Sequence, residues 1–402
     1  MGETTFTKRE RNSYTRRQAL IVGAAALSGP ALIGVSGAQA AQPASGPQMG
    51  ASTARAYGAT STTGPISAIE IPRRAVGPDD VSLDVLYCGV CHSDIHAVRG
   101  DWREPRFPIV PGHEIIGRVT AVGSAVTKFK VGDIGGVGCM VNSCGTCENC
   151  QADREQNCLN GTTFTYDSVD AIHGGYTFGG YSERVVVTER FVIRIPPGAD
   201  LAATAPLLCA GVTTFSPLQH WHAQPGQRVG VIGLGGLGHM AVKLAAARRA
   251  DVTVFTTSAS KIADAKRLGA REAVLSTDIE SMKRLNNRFD LLISTVPTAY
   301  QMQPFMDLLK LDATLVNVGA LGDLQGLNGM TQGFGRKSLA GSMIGGIAET
   351  QEVIDYCTAR NIKADVELIR PSEINRAYER VVNKDVRYRF VIDMASGREG
   401  SR

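Results

Sequence analysis

The residues in this chain that could do chemistry fall into two groups by spacing. Cys144, Cys147, Cys150 and Cys158 stand at C-x2-C-x2-C-x7-C. Four thiolates held that closely complete a tetrahedral zinc shell on one loop, with no position left for a substrate. The second group is dispersed. Cys88-Gly89-Val90-Cys91-His92-Ser93-Asp94-Ile95-His96 gathers two Cys, two His and a Ser. His113-Glu114 follows Pro111-Gly112, and Cys209 lies in Leu207-Leu208-Cys209-Ala210-Gly211. Two thiolates and one imidazole drawn from these residues make a three-ligand zinc shell, open at its fourth position to water or substrate. Such a zinc is a Lewis acid that polarises a carbonyl or lowers the pKa of a bound alcohol. Taken singly these residues have plainer readings, since a lone Cys such as Cys209 is usually a small buried hydrophobe.

A nucleotide-binding turn follows. Arg228-Val229-Gly230-Val231-Ile232 is a short β-branched run, and Gly233-Leu234-Gly235-Gly236-Leu237-Gly238 comes directly after it, ahead of residues at helical spacing from His239 to Arg249. G-x-G-x-x-G gains meaning between a strand and a helix. Gly233 permits the tight turn, Gly235 lets the backbone approach a pyrophosphate, and Gly238 lets helix and strand pack closely. An NAD site places Asp or Glu about twenty residues further on, where it holds the ribose diol. Here the run is Thr256-Thr257-Ser258-Ala259-Ser260-Lys261, with no acid. Hydroxyls and a compact cation suit a 2′-phosphate, so the expected cofactor is NADP.

The elements that must hold these groups divide the chain. From about Ser67 to Val187 short β-type runs are broken by Gly, Pro and Asp; Val81–Val85 and Ile115–Val122 are strand candidates. After Pro206 apolar runs at 252–255, 291–294 and 315–318 alternate with helical stretches such as 261–268. That alternation predicts a doubly wound parallel sheet. The tail from Glu349 is mixed and ends in Tyr388-Arg389-Phe390-Val391-Ile392-Asp393, expected to rejoin the first domain. The composition, 43% hydrophobic and 20% charged over 402 residues, is that of a globular chain with two cores. A formal charge of +4 gives no footprint for nucleic acid. At the N-terminus Arg16-Arg17 precedes an Ala/Gly-rich run from Ala19 to Val35 and then Ala38-Gln39-Ala40. This order resembles a bacterial twin-arginine signal over 1–40, implying the twin-arginine export machinery as partner and a periplasmic destination, or the cytoplasm if the leader is not used. Residues 41–55 are small and polar and read as a linker. Export places the four-Cys loop in an oxidising compartment, where a pair of disulfides is the alternative to zinc.

The motifs together resemble the zinc-dependent medium-chain alcohol dehydrogenases, on the cinnamyl-alcohol-dehydrogenase-like branch that includes bacterial NADP-dependent aldehyde reductases. The likeness runs from about Ala56 to Asp393. It is carried by Cys-Gly-Val-Cys-His-Ser-Asp at 88–94, Pro-Gly-His-Glu at 111–114, Gly-Val-Gly-Cys-Met-Val at 136–141, the four-Cys loop, Leu-Leu-Cys-Ala-Gly-Val-Thr-Thr at 207–214, Gly-Leu-Gly-Gly-Leu-Gly-His at 233–239, Gly-Ser-Met-Ile-Gly-Gly at 341–346 and Asp-Val-Arg-Tyr-Arg-Phe-Val at 385–391.

The resemblance implies an α/β protein: a GroES-like β-rich catalytic domain at 56–208, a Rossmann domain at 209–348 and a returning catalytic part at 349–396. It implies two zinc ions per chain. Cys91, His113 and Cys209 would hold the catalytic one, with Glu114 an alternate ligand; Cys144, Cys147, Cys150 and Cys158 would hold the structural one, and Cys88 none. Ser93 would take the proton from the alcohol and pass it toward His96, with His92 near the cofactor phosphates. Thr213, Thr295, Gly319, Ser342 and Ile344 would contact the cofactor, and Trp102 the substrate. The implied reaction is hydride transfer between NADP(H) and an aldehyde or primary alcohol, in a homodimer. An aromatic cinnamyl-alcohol specialist, and an exported zinc-binding or redox-sensing protein without turnover, are the alternatives. The sequence leaves Cys139 and Cys357 without a role.

Overall fold

The computed structural model describes residues 50–319, 322, 324 and 326–397. The leader at 1–40 lies outside the described residues.

The first strand, Ser52–Gly58, pairs antiparallel with Ser67–Arg73 and begins inside the stretch read as linker. Its alternation buries Ala54 and Ala56, which small polar composition alone did not reveal. A seven-stranded sheet follows. Asp80–Val90 is its long central strand, flanked by Ile115–Val122 and Arg389–Asp393; Ile134–Val137 and Val192–Arg194 extend one side, Val366–Ile369 closes the other, and Arg184–Thr188 pairs with Asp80–Val90. The returning tail therefore supplies two strands of this sheet, and Val391 sits opposite Gly89.

The second sheet has six parallel strands in the order Glu272–Leu275, Asp251–Thr256, Arg228–Ile232, Phe289–Ser294, Leu309–Asn317 and Ser338–Gly341. Parallel strands covered on both faces read as nearly unbroken apolar runs. In Arg228–Ile232 only the first residue is exposed, and each fully buried Val or Ile contributes roughly 1.5–3 kcal/mol. The helix after it spans Gly236–Ala247, starting earlier than the helical spacing from His239 indicated, because the glycine turn is itself the helix start. At 259–261 the chain makes a 3-10 turn before the helix Ile262–Arg267, so Lys261 stands at a helix entrance and not on a helix face.

The boundary expected at 348 falls inside the helix Ile347–Ala359. One buried cluster joins its Val353 and Ile354 to Ile116 and Ile193 of the first sheet and to Val231, Val254 and Ile293 of the second. Among the described residues no single helix is long and apolar enough to cross a membrane.

Candidate active site

The central strand Asp80–Val90 delivers Cys91, which caps the helix His92–Arg99. Ser93 and His96 follow on that helix, and Gly100, at φ +75°, closes it in the left-handed conformation that favours glycine. The Cys91 Sγ is 3.6 Å from the Ser93 Oγ. The His92 and His96 rings stack with centroids 4.8 Å apart. His96 Nδ1 lies 2.7 Å from an Asp101 oxygen, whereas its buried Nε2 has no hydrogen-bond partner in the protein. His113 arrives from Pro111-Gly112, and Gly112 needs its positive φ of +102°. A Cβ there would stand 2.6 Å from Tyr181 Cδ1 and 2.7 Å from Cys88 Sγ. Cys88 thus packs behind the loop, its thiol pushed well up, first by burial and then by Asp94.

Cys209 sits between the 3-10 turn Ala205–Leu208 and the helix Ala210–His220. One ligand atom each from Cys91, His113, Glu114 and Cys209 lie within 4.8 Å of one another, all four residues buried. His113 Nε2 is 3.2 Å from the Cys209 sulfur.

Asp94 orients this cluster. Fully buried, it accepts from the Cys91 N–H at 2.8 Å, the Gly112 N–H at 3.1 Å, the Tyr181 hydroxyl at 3.1 Å and His113 Nδ1 at 3.1 Å. A carboxylate only accepts, so Nδ1 carries a proton; once Nε2 is deprotonated its lone pair faces the thiols, the form that ligates metal. Burial opposes a charged His113, but Asp94 and Cys139 outweigh it and hold its pKa well above the ordinary value. Cys91 is held well below the ordinary thiol range, chiefly by its hydrogen bond with Cys209, with Arg389 and His113 adding. A thiol, a thiolate and an imidazole focused on one buried space suit a dication. Glu114 forms an ion pair with Arg389, both side chains nearly inaccessible. Reading single motifs for ligands passed over Asp94 and Arg389; the signal was an acid three residues after Cys91 and the second Arg of Arg-Tyr-Arg.

One cavity of about 980 Å³ connects this cluster to the glycine turn. Gly233 takes φ +90°, and a Cβ on Gly238 would lie 2.2 Å from the Gly233 carbonyl oxygen, whereas one on Gly235 would meet nothing within 4 Å. The turn is thus closed on its packing side and open on the side where a pyrophosphate would lie. Gly233, Leu234, Gly235, Gly236 and Leu237 line the cavity, as do His92, Ser93, His96, Thr256, Thr257, Ser258 and Lys261. Lys261 Nζ donates to the Leu234 carbonyl at 2.9 Å. Of the further cofactor residues implied by resemblance, Thr213, Thr295, Gly319 and Ile344 line the cavity; Ser342 does not, and its N–H donates to Asn317 at 3.1 Å. Thr295 Oγ1 instead holds the turn, donating to Ile232 O at 3.0 Å. Thr213 Oγ1 is buried with no protein partner while lining the cavity, a group that a polar cofactor would satisfy.

Family profiles match here: the alcohol dehydrogenase GroES-like domain over residues 77–197 and the zinc-binding dehydrogenase domain over 236–359. The chain belongs to the zinc-binding alcohol dehydrogenases. It is 52% identical over 346 residues to NADP-dependent alcohol dehydrogenase C 1 of Mycolicibacterium smegmatis, covering 86% of this chain and 99% of that protein. It is 50% identical over 344 residues to the aldehyde reductase YahK of Escherichia coli, covering 84% and 97%. Among solved structures, a cinnamyl alcohol dehydrogenase from Sorghum bicolor superposes with TM-score 0.83 at 42% identity, covering 86% and 98%. A Helicobacter pylori homologue complexed with NADP(H) gives 0.81 at 40%, covering 86% and 99%.

The second cysteine group of this dehydrogenase stands apart from the cavity. Sulfurs of Cys144, Cys147, Cys150 and Cys158 lie within 4.8 Å of one another, and none of the nine cysteines forms a disulfide. Backbone N–H groups point at the sulfurs: Cys147 to Cys144 at 3.4 Å, Cys144 to Cys158 at 3.5 Å and Leu159 to Cys147 at 3.5 Å. Such donors favour thiolate. Backbone N–H groups of Thr146 and Cys147 bring Cys144 down to about 5, while burial takes Cys150 up to about 11. The lobe is tied to the rest of the molecule by buried Glu155, which accepts from the Ile347 N–H at 3.0 Å.

Proposed function

We propose that this dehydrogenase interconverts aldehydes and primary alcohols with NADP(H), chiefly reducing a broad range of aldehydes. One observation carries the reading: a single cavity holds the Cys91–His113–Cys209 cluster at one end and the glycine turn with an acid-free strand end at the other. Bound zinc supplies Lewis acidity toward the substrate oxygen, and the bound nicotinamide supplies or accepts the hydride. The chain's own residues do the rest. Asp94 holds His113 in the ligating tautomer. Ser93 gives or takes the proton at the substrate oxygen through Oγ, beside Cys91. His96, on the same helix and lining the cavity, serves as proton store while Asp101 holds Nδ1. Lys261 and the Thr256–Ser258 hydroxyls answer a 2′-phosphate.

Trp102, Phe164 and Tyr166 put an aromatic wall on the cavity and support a second reading, a specialist for aromatic alcohols. NADPH oxidation with benzaldehyde, hexanal and cinnamaldehyde, before and after chelation, tests both. Comparable kcat/KM across the panel supports the broad reductase, and a hundred-fold bias to cinnamaldehyde the specialist. No metal-dependent turnover would leave a zinc-binding protein without catalysis.

Three further readings belong to this proposal. Two zinc ions per chain are supported by the two ligand clusters. A homodimer is supported by the sheet's end strand Ser338–Gly341 and by Met330 and Phe334, exposed on the helix Gly329–Gly335 that precedes it in the chain. Export by the twin-arginine route to the periplasm rests on the order of Arg16-Arg17, the apolar run and Ala38-Gln39-Ala40.

A further inference from the structure

Cationic side chains from both sheets converge on the adenosine end of the cavity. Lys261 comes from the parallel-sheet lobe; Lys384 and Arg387 come from the loop that leads into the returning strand Arg389–Asp393 of the other sheet, and all three line the cavity. Two of them share the ring of Tyr388, with Lys261 Nζ 6.0 Å and the Arg387 guanidinium 5.9 Å from its centroid. Burial lowers the Lys261 pKa first, and the Arg387 and Lys384 charges lower it further against the opposing pull of Asp264, which places three like charges within reach of one another.

The protein offsets little of this. Asp264 accepts from Arg387 Nε at 2.8 Å and from the Tyr388 hydroxyl at 2.9 Å, and is itself shared with Arg267 at 3.5 Å. Lys261 donates to a neutral carbonyl, and Lys384 has no ion pair among the described residues. Glu367 also accepts from the Arg387 backbone N–H at 3.2 Å, but neither carboxylate pairs with Lys261 or Lys384, and positive charge in a cleft beyond what carboxylates match selects for a multivalent anion. The strand end that would carry an NAD-selecting acid carries Thr256, Thr257 and Ser258, so the strand end itself sets no carboxylate against an anion.

We propose that the cofactor 2′-phosphate is recognised from both lobes, by Lys261 and the Thr257–Ser258 hydroxyls on one side and by Lys384 and Arg387 on the other. This rests on the reading that NADP is the cofactor, and extends it. A phosphate held so spans the cleft between the two sheets, and the choice of NADP over NAD then resides partly in the catalytic lobe, about 130 residues from the strand end that sequence motifs address. Arg387 keeps Asp264 on Nε and has its terminal nitrogens for the phosphate, the geometry in which guanidinium serves best.

The test measures kcat/KM for NADPH and NADH in the full chain and in Arg387→Gln, Lys384→Gln and the double variant, with adenosine 2′-monophosphate and 5′-monophosphate as competing probes. Each single change is expected to lower the NADPH-to-NADH ratio about ten-fold and the double about a hundred-fold, as lost charge-assisted contacts to a phosphate do. Inhibition by the 2′-monophosphate should weaken in step, and Arg387→Lys should recover part of the ratio. A parallel fall for both cofactors would mean that Arg387 only braces Tyr388 and Asp264, and would overturn the proposal. So would an unchanged ratio alongside a ratio lost in Lys261→Ala, which would confine the phosphate to one lobe. A wild-type protein indifferent between NADPH and NADH would instead refute the NADP reading itself.

Discussion

Asp94→Asn is the substitution that best separates a metal-binding cluster from a merely packed one. Each oxygen of Asp94 accepts two donors: Gly112 N–H and His113 Nδ1 on one, Cys91 N–H and the Tyr181 hydroxyl on the other. Asn keeps the volume but turns one oxygen into an NH₂ donor. Placed toward His113, the amide opposes the Nδ1 proton and favours the wrong tautomer. Placed toward Cys91, it leaves that buried N–H unpaired, at a cost of about 1–3 kcal/mol. Either way the loss falls on a ligand of the Cys91–His113–Cys209 cluster, and comparable losses behind metal-bound histidines weaken the metal about 10–100-fold. That corresponds to about 1.4–2.7 kcal/mol. The assay is zinc content and kcat during titration with a competing chelator. On the proposed count of two zinc ions, one should leave at about 10–100-fold lower chelator, with activity lost in step, while the Cys144, Cys147, Cys150 and Cys158 site keeps its metal. A variant that holds both ions and turns over like the wild type would refute the orienting role of Asp94.

Three other outcomes follow from the geometry. Gly238→Ala would set a methyl 2.2 Å from the Gly233 oxygen, forcing the helix off the strand at about 1–3 kcal/mol and raising the NADPH KM at least ten-fold, read by steady-state kinetics. Cys147→Ser should reduce the zinc content by one and lower the thermal midpoint while Cys91–His113–Cys209 keeps its ion, checked by metal analysis and calorimetry. His239 is fully buried, facing Lys243 and Asp365 and stacked on Tyr388; burial first and Lys243 second lower its pKa from 6.5 to about 4. The unfolded chain therefore binds the proton first, so this stability is complete above about pH 6.5 and falls with acidification, by about 2 kcal/mol at pH 5. His239→Gln should remove that slope from urea midpoints measured between about pH 7.5 and 5.

Several elements were legible because their signal is local. The strand Ile115–Val122 has the bounds its alternation indicated. The four-Cys loop closes on itself within fifteen residues, from 144 to 158, so spacing alone brings its sulfurs together. The glycine turn reads from sequence because its demands are partly local: Gly233 takes a positive φ, and Gly238 must clear the Gly233 carbonyl oxygen five residues back. Local signal failed at the linker, where small residues that look like a tether pair as the strand Ser52–Gly58, and at residue 348, where a helix runs through the expected boundary. Pairing partners that lie far along the chain leave no mark on a short window.

By itself, then, the sequence determined the types and order of the ligating and phosphate-facing residues, and through resemblance the family. The tertiary structure decided which of them share a space. Cys91, His113 and Cys209 come from a strand end, a loop and a helix start, and they meet only because both sheets pack on one core. Asp94 gained its role from four donors, three of which, on Gly112, His113 and Tyr181, come from other segments of the fold. Arg387 and Lys384 reach the cofactor cavity because the chain returns to its first sheet, and a charge acts on whatever stands within a few ångströms, however distant it is in sequence.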